Sequence, residues 1–177
     1  MTKNKIVLAM FMEDRVIAEK NDTTNELYEK SRFGEPLGKK KYQYSLVEGL
    51  YLLEKEKIKI MSARTEYDFA SYLKKAKRKN KNFLIRYAVY KDMRNRGYIL
   101  KTALKFGADY RVYDRGVKPG EDHAKWILYP ISEVETLTWY EFAAKNRVAH
   151  STRKRLMIGI VDEELSVTYY EIAWKKP

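Results

Sequence analysis

The order of helical and extended patterns in the second half of the chain constrains its fold more than any other feature. One helical pattern ends at Gly97 and is followed by three extended runs, and a second helical pattern is followed by two more. The predicted elements are the strands Tyr98–Leu104, Asp109–Asp114 and Ala124–Ile131, the helix Leu137–Ala149, and the strands Leu156–Val161 and Val167–Trp174. This order predicts an α/β (α+β) fold in which helices flank a mixed sheet. On the second helix we expect Trp139, Phe142 and Ala143 to face inward.

The first half of the chain predicts a smaller mixed α/β domain. Its predicted elements are the strands Ile6–Phe11 and Arg15–Glu19, a short helix around Glu26–Lys30, a helix from Ser45 to Lys57, the strand Ile58–Ile60 and a helix over Glu66–Arg78. Ser45 and Glu48 have the spacing of a capping box, which marks the start of the helix from Ser45 to Lys57. The polar stretch up to Lys41, after the short helix, is predicted to be a loop.

A run of six cations occupies the eight residues from Lys74 to Lys81. Such a run is typical of a nucleic-acid-binding patch, but it is more often the solvated end of a helix, where the helix dipole favours lysine. We therefore favour the solvated helix end. The run also lies at the predicted boundary between an N-terminal α/β domain, 1–82, and a C-terminal domain, 83–177.

The composition narrows the possible chemistry. The chain has no cysteine and two histidines, which excludes disulfide scaffolds, cysteine nucleophiles and cysteine-ligated metals. The net charge of +12 favours a polyanionic partner, and nucleic acid fits better than a membrane surface because no long basic amphipathic helix has an apolar aromatic face. No secretion signal is recognised, so a cytoplasmic location is expected.

Three side chains in the second half suit metal-independent cleavage of RNA: Tyr113, His123 and Lys154. Attack by the 2′-hydroxyl of RNA needs a base for that hydroxyl, an acid for the departing 5′-oxygen and a cation for the charged phosphate. Histidine exchanges a proton near neutral pH, and lysine supplies the charge. A tyrosine becomes a base where cations stabilise its phenolate, and strand alternation predicts that Arg111 and Arg115 share its face. Each residue taken alone is more often structural than catalytic.

Several segments resemble the archaeal tRNA-splicing endonucleases. The resemblance is carried by Tyr98-Ile-Leu-Lys-Thr, Phe106-Gly-Ala-Asp-Tyr-Arg-Val-Tyr-Asp-Arg-Gly116, His123-Ala-Lys, Arg147-Val-Ala-His-Ser-Thr-Arg-Lys-Arg155, Ile160-Val-Asp and, in the first half, Tyr44-Ser-Leu-Val-Glu-Gly-Leu-Tyr-Leu52. It covers nearly the whole chain and is densest from Tyr87 to Tyr170. It implies a small N-terminal domain and a restriction-endonuclease-like C-terminal domain.

The resemblance also implies an activity and a set of residues. The family cleaves precursor tRNA at both splice sites of a bulge–helix–bulge without metal or other cofactor, leaving 2′,3′-cyclic phosphate and 5′-hydroxyl ends. Its catalytic tyrosine, histidine and lysine fall on Tyr113, His123 and Lys154. A bulge base in the family stacks between an arginine, matched by Arg147, and a second side chain, for which Tyr169 is the candidate.

Assembly follows from the same resemblance. Two cuts on one RNA require two active sites at a fixed separation, and the family forms tetramers in which an acidic loop enters a basic pocket of a neighbour. Asp162, Glu163 and Glu164 occupy the position of that loop. We expect either a homotetramer or a heterotetramer with a second, structural subunit, and no association with membranes.

Two other functions stay open from the sequence. One is a metal-dependent nuclease of the same broad fold, in which carboxylates such as Asp109, Asp114 or Asp122 hold Mg²⁺. The other is a non-catalytic basic subunit that binds RNA. The first lacks the usual carboxylate-and-lysine spacing, and the second leaves the presence of Tyr113 and His123 unexplained. His150 and Ser151 are adjacent, but no carboxylate completes a catalytic set, so His150 is expected to be a helix-terminal residue.

Overall fold

The computed structural model describes residues 6–63, 65–103, 107–120 and 122–175. The chain forms two compact units, Met1–Leu84 and Ile85–Pro177, which we call unit 1 and unit 2. The boundary that we place at 82/83 lies at the first residue of the helix Phe83–Asn95 and stays a prediction. Across the described residues, no helix is long and apolar enough to cross a membrane. Three residues named from the sequence lie outside the described residues: Leu104 of the predicted strand Tyr98–Leu104, Phe106 of the motif that ends at Gly116, and Glu121.

Unit 1 is built on a six-stranded mixed sheet. Its elements are β1 (Val7–Met12), β2 (Arg15–Glu19), α1 (Asp22–Ser31), β3 (Glu35–Leu37), β4 (Lys41–Ser45), α2 (Leu46–Glu54), β5 (Ile58–Ser62), β6 (Thr65–Tyr67) and α3 (Phe69–Lys79). The strand order is β3-β4-β2-β1-β5-β6. Within this sheet β1 and β5 are parallel, and the other neighbouring pairs are antiparallel.

Local hydrogen bonds determine where the helices of unit 1 begin. The Ser45 hydroxyl accepts from the Glu48 amide at 3.3 Å, and Glu48 Oε2 accepts from the Ser45 amide at 3.0 Å, which confirms the predicted capping box. Asn21 caps α1, which is longer than the predicted short helix. Asp68 caps α3, so that helix begins at Phe69 and not at Glu66.

The prediction of a loop after α1 is wrong in part. β3 and β4 form there because Tyr42 and Tyr44 point into the core and extend the sheet beyond β2. In the sequence, the lysines and the short turn before Tyr42 hide the alternation of buried and exposed residues along β4. Residues 65–67 likewise form the edge strand β6 where the start of a helix was predicted. These residues are extended because they pair with β5, the strand that directly precedes them in the chain.

Unit 2 is built on a five-stranded mixed sheet. Its elements are α4 (Phe83–Asn95, which begins in unit 1), β7 (Ile99–Thr102), β8 (Tyr110–Tyr113), β9 (Trp126–Ser132), α5 (Trp139–Ser151), β10 (Arg155–Val161) and β11 (Val167–Ile172). The strand order is β11-β10-β9-β8-β7. β9 and β10 run parallel, and the other pairs are antiparallel. The predicted helix–strand order and mixed sheet are confirmed.

Both faces of the unit 2 sheet are covered. One face carries the core cluster beneath α5, formed by Ala103, Ala108, Ile127, Tyr129, Ile131, Ala149, Leu156 and Ile158. On the other face, Gly159 lies where a Cβ atom would meet Tyr169 and Val89 of α4 at 3.2 Å each. The absence of a side chain at Gly159 therefore lets α4 and β11 pack closely on this face.

The inward face of α5 differs from the prediction at one residue. Trp139 is 84% exposed, whereas Phe142 packs against the core cluster. Trp139 occupies the first position of α5, directly after the N-cap Thr138, where the helix has no turn before it to bring the side chain over the sheet. Its ring meets Phe142 edge-on, with the centres 5.8 Å apart.

Candidate active site

The three residues proposed for catalysis lie at one end of three neighbouring strands. The first residue of β9 lies opposite the first residue of β10 and the last but one of β8. Tyr113 is the last residue of β8, His123 precedes β9 by three residues, and Lys154 directly precedes β10. The backbone positions of all three therefore converge, although Lys154 follows Tyr113 by 41 positions in the sequence.

Tyr113 lies on the sheet face that α5 covers. Arg111 shares this face and lies opposite Ile127, a member of the core cluster beneath α5. Lys101 of β7 lies opposite Arg111 in turn. The side chain of Tyr113 is only 6% exposed. Two cations therefore provide positive charge on the face that holds this nearly buried tyrosine.

Arg115, which was expected beside Arg111, is held elsewhere. β8 ends at Tyr113, and Arg115 belongs to the turn that follows. Its guanidinium carbon lies 5.0 Å from the centre of the Tyr98 ring in a cation–π contact. Strand alternation therefore does not extend far enough to bring Arg115 to the side of Arg111.

His123 lies in the loop that joins β8 to β9. Its backbone amide donates to Asp122 Oδ1 at 2.6 Å, and Lys125 Nζ donates to Asp114 Oδ2 at 2.7 Å, which ties the end of the loop to its beginning. The hydrogen bond from Lys125 is the main reason that the pKa of Asp114 lies below its usual value. No hydrogen bond holds the His123 imidazole to another described residue. Among the described residues, these bonds join the two ends of the loop and leave the imidazole without a partner.

Lys154 is positioned by the end of α5. Arg153 adopts a left-handed backbone conformation with φ 55°, which turns the chain out of the helix. The Lys154 amide then donates to the Ala149 carbonyl at 2.8 Å, and its Nζ donates to the Thr152 carbonyl, also at 2.8 Å. The ammonium group therefore lies against the helix terminus, beside the start of β10.

A polar network joins three strands next to this site. Trp126 Nε1 donates to Glu171 Oε2 at 2.6 Å, and Arg155 Nη1 donates to Glu171 Oε1 at 2.7 Å. The hydrogen bond from Trp126, followed by that from Arg155, lowers the pKa of Glu171. Lys125 Nζ lies 4.5 Å from the centre of the Trp126 ring. This network could not be predicted from the sequence, because Trp126 and Glu171 are 45 residues apart and no local pattern links them.

The carboxylates named for the metal-dependent alternative are engaged separately. Asp109 Oδ1 lies 2.8 Å from Arg86 Nε, and burial raises the pKa of Asp109 in spite of this partner. Asp114 pairs with Lys125, and Asp122 caps the His123 amide. Within the described ranges, no three His, Asp or Glu residues are gathered as a metal site would require.

Arg147 lines a pocket of about 270 Å³ beside α5. The other lining residues are Phe142, Ala143, Asn146, His150 and Trp174. Trp174 is 57% exposed and meets the His150 ring nearly edge-on, with the centres 4.4 Å apart. The Ser151 hydroxyl donates to the Val148 carbonyl, so the structure forms no Ser–His pair. His150 therefore lies at the helix terminus as predicted, but it helps to form a pocket.

Tyr169, the predicted stacking partner of Arg147, lies on the opposite face of the sheet. It pairs with Gly159, its hydroxyl donates to Asp92 Oδ2 of α4 at 2.8 Å, and burial is the main cause of its raised pKa. The structure thus separates Tyr169 from Arg147 within the chain and brings Trp174 to Arg147 instead. β11 ends at Ile172, and the chain beyond it turns toward α5. No local signal in the sequence distinguishes Trp174 from Tyr169, because both are aromatic residues in the last predicted strand.

The acidic hairpin connects β10 to β11. Asp162 Oδ1 accepts from the Ser166 amide at 2.8 Å, and the Asp162 carbonyl accepts from the Leu165 amide at 3.1 Å. The Glu163 amide donates to Glu133 Oε1 at 3.0 Å. Asp162 therefore stabilises the turn, whereas Glu163 and Glu164 are exposed at its tip.

Comparison with known proteins gives the family. The family model of the tRNA intron endonuclease N-terminal domain matches residues 7–73, and that of the catalytic C-terminal domain matches residues 83–169. A tRNA-splicing endonuclease of Pyrococcus furiosus is 39% identical over 173 residues, which covers 97% of this chain and 99% of the relative. The chain belongs to the tRNA intron endonuclease family.

Other members of the tRNA intron endonuclease family are also similar. A tRNA-splicing endonuclease of Nanoarchaeum equitans is 49% identical over 138 residues, covering 75% of this chain and 88% of the relative. One from Methanothermobacter thermautotrophicus is 36% identical over 168 residues, covering 93% and 95%. The two-domain architecture and the family predicted from the sequence are therefore confirmed. The chain carries the catalytic domain of this endonuclease family, and Tyr113, His123 and Lys154 lie inside the matched region.

Proposed function

We propose that this protein cleaves precursor tRNA at both splice sites of a bulge–helix–bulge, without metal, leaving 2′,3′-cyclic phosphate and 5′-hydroxyl ends. The observation that carries the proposal is the convergence of Tyr113, His123 and Lys154 at one end of three adjacent strands. Membership of the endonuclease family supports it independently. The reaction is an RNA transesterification in which no water enters the cleavage step.

Each of the three residues has one role in this reaction. Tyr113 takes the proton of the 2′-hydroxyl, and the 2′-oxygen forms a bond to phosphorus. The bond from phosphorus to the 5′-oxygen breaks, and His123 gives that oxygen a proton. Lys154 faces the extra negative charge on the pentavalent phosphate. The His123 imidazole makes no hydrogen bond to a described residue, and Asp114 and Lys125 join the ends of its loop, which suits a group that meets its partner only in the transition state.

The pocket beside α5 is proposed to hold an extruded bulge base. The guanidinium of Arg147 and the indole of Trp174 offer two flat surfaces on which a base stacks. Single-stranded bulges suit this mode because side chains cannot read the deep major groove of an RNA helix. Tyr169 remains the earlier candidate from the family resemblance, but its position across the sheet favours Trp174.

The assembly is proposed to be a tetramer with two active protomers, either of one chain or with a second structural subunit. Two cuts on one RNA need two copies of the Tyr113–His123–Lys154 site at a fixed separation. Glu163 and Glu164 at the tip of the hairpin offer negative charge, exposed in a chain with net charge +12, to a basic surface of a neighbour. Charge complementarity of this kind selects partner and register.

Cleavage of a model bulge–helix–bulge RNA in excess EDTA tests the activity. We expect two cuts, with cyclic phosphate and 5′-hydroxyl ends identified by sensitivity of the products to phosphatase and kinase. Activity that appears only when Mg²⁺ is restored would point to the metal-dependent alternative. Binding without any cleavage, with or without Mg²⁺, would identify a non-catalytic subunit. Tyr113→Phe serves as the control, because it keeps the ring and removes only the hydroxyl.

A further inference from the structure

Helix α3 of unit 1 has cations on the face that points away from the core. Lys74, Lys77 and Arg78 follow the i, i+3, i+4 spacing of one helix face, and all three are exposed. Tyr72 and Ala76, on the other side of the helix, are fully buried. We call the three cations the α3 ridge.

No described carboxylate forms an ion pair with the α3 ridge. Within the described part of the chain, no ion pair involves Lys74, Lys77 or Arg78. Lys79, the next residue, does face a carboxylate. The pKa of Asp14 is lowered mainly by its hydrogen bond with Arg15, and the charge of Lys79 adds a smaller contribution. The three ridge cations are therefore exposed to solvent and carry positive charge that no described residue pairs with.

Another helix of the same unit shows the usual arrangement. In α1, Lys30 follows Glu26 by four residues, and their charged atoms lie 2.6 Å apart. In α3 the residue four before Arg78 is Lys74, so the same spacing holds two like charges, which destabilises a helix. The helix dipole favours cations only in the last turn, which contains Lys77 and Arg78 but not Lys74. Helix stability alone therefore does not account for the ridge.

We propose that the α3 ridge binds the phosphate backbone of the substrate RNA, outside the nucleotides that are cut. This inference rests on the proposed function, and it assigns a second RNA contact to a unit that carries none of the three catalytic candidates. Lysine and arginine at fixed spacing on a rigid helix neutralise phosphates without reading bases. The ridge therefore adds affinity that does not depend on sequence.

The chemistry of α3 favours RNA over other polyanions. A membrane-bound amphipathic helix inserts an apolar face, but Tyr72 and Ala76 are already buried in the core of unit 1. A protein partner would need an apolar centre to its interface, and the ridge itself consists of charged side chains. Phosphate contacts require only the cations that the ridge presents.

The test compares two triple variants in the background His123→Ala, in which cleavage is expected to be roughly 10²–10⁴-fold slower, so that equilibrium binding can be measured. The ridge variant is Lys74→Gln/Lys77→Gln/Arg78→Gln, and the control is Lys39→Gln/Lys40→Gln/Lys57→Gln, which removes the same charge from exposed turns of unit 1. Dissociation constants for an intron-containing precursor tRNA are measured over a range of salt concentrations. We expect the ridge variant to bind about tenfold more weakly or worse near 0.1 M salt, with a log–log salt slope smaller by roughly 2 to 3.

Equal salt slopes for the ridge variant and the control would overturn the proposal. If the ridge triple variant does not fold, as judged by thermal unfolding, the three single variants carry the test, and each should lower the slope by up to about 0.9. In an active background, the ridge variant should raise KM and leave kcat unchanged. Failure of the proposed function looks different, because the wild type would then leave the bulge–helix–bulge RNA uncut in EDTA whatever the slopes.

Discussion

The two sheets of this protein use similar apolar strands in different ways. Strand β1 of unit 1 is entirely apolar, yet Leu8 is 68% exposed and only the alternate residues Val7, Ala9 and Phe11 are buried. Strand β9 of unit 2 is buried on both faces from Trp126 to Tyr129. The sheet of unit 1 is therefore covered on a single face, whereas the sheet of unit 2 lies between two layers of helix.

This difference matches where the candidate catalytic groups lie. A sheet packed on both faces holds its backbone in a single arrangement, so loops at its ends are positioned accurately. Tyr113, His123 and Lys154 all lie at one end of the doubly covered sheet of unit 2. Unit 1, with its one-sided sheet, contributes a charged helix face instead. Precise chemistry requires the rigid sheet, whereas phosphate binding requires only a stable helix.

The largest expected effect comes from removing the proposed acid. His123→Ala should lower the single-turnover cleavage rate by roughly 10²–10⁴-fold, because proton donation to the 5′-oxygen occurs in the transition state. Affinity for uncut RNA should stay nearly unchanged, as measured by equilibrium binding in EDTA. A loss of affinity that matches the loss of rate would argue against this role.

The contrast between the sheets predicts that shortening a side chain lowers the free energy of unfolding by different amounts in the two units. Ile127→Ala opens a cavity in the fully buried core of unit 2 and should lower the free energy of unfolding by about 2–5 kcal/mol. Leu8→Ala removes an exposed side chain and should change it by less than about 0.5 kcal/mol. Denaturant titration of both variants measures the difference. Equal costs would mean that the exposed face of unit 1 is covered in solution.

Charge reversal at the acidic hairpin tests the assembly. The variant is Glu163→Lys/Glu164→Lys. Asp162 is retained because it stabilises the turn. We expect the proposed tetramer to separate into smaller species and paired cleavage to be lost, as measured by sedimentation and by product analysis. A triple reversal that also changes Asp162 to lysine should do the same but also disturb the hairpin.

The control for this prediction places the same charge change elsewhere. Glu13→Lys/Glu29→Lys alters two exposed positions of unit 1 and should leave the sedimentation coefficient unchanged. A sedimentation coefficient that still corresponds to a tetramer after the hairpin reversal would contradict the assembly proposal.

The pocket beside α5 should contribute a smaller effect on RNA binding. Arg147→Ala and Trp174→Ala should each weaken binding of bulged RNA by about 1–3 kcal/mol, the usual contribution of a stacked base. Tyr170→Ala removes a similarly exposed aromatic outside the pocket and should have little effect. Tyr169→Leu distinguishes the two candidates, because it leaves the pocket intact and removes the aromatic ring of the other candidate. If Tyr169→Leu weakened binding as much as Trp174→Ala, the pocket would not be the stacking site.

The smallest effect is expected in the network beside the active site. The pKa of Glu171 is lowered in the folded state, so its charge stabilises the protein above the unfolded pKa, and this contribution is lost as pH falls through the lowered folded value. Glu171→Gln should therefore cost less than about 1 kcal/mol at pH 7, since the pair is partly exposed. The difference from wild type should vanish in strong acid. Urea titrations at several pH values measure it, and a constant difference down to low pH would contradict the assignment.

The sequence alone determined features that depend on neighbouring residues or on a recognisable motif. The capping box of Ser45 and Glu48 is confirmed because both partners lie within one helical turn. The strand β2 and the hairpin of β10 and β11 follow from local patterns, and the motifs identified the family. The three catalytic candidates could be named in the same way, and their roles stay predictions.

Only the tertiary structure decided which side chains meet across the sheet. Tyr169 and Trp174 are both aromatic residues near the end of the last strand, and nothing local tells which reaches Arg147. Packing of Gly159 against α4 directs Tyr169 away, and the chain beyond β11 brings Trp174 to α5. The bond from Trp126 to Glu171 likewise joins distant residues. Such contacts depend on strand pairing and on which faces become buried, because these choices minimise the free energy of the whole fold and not of any one segment.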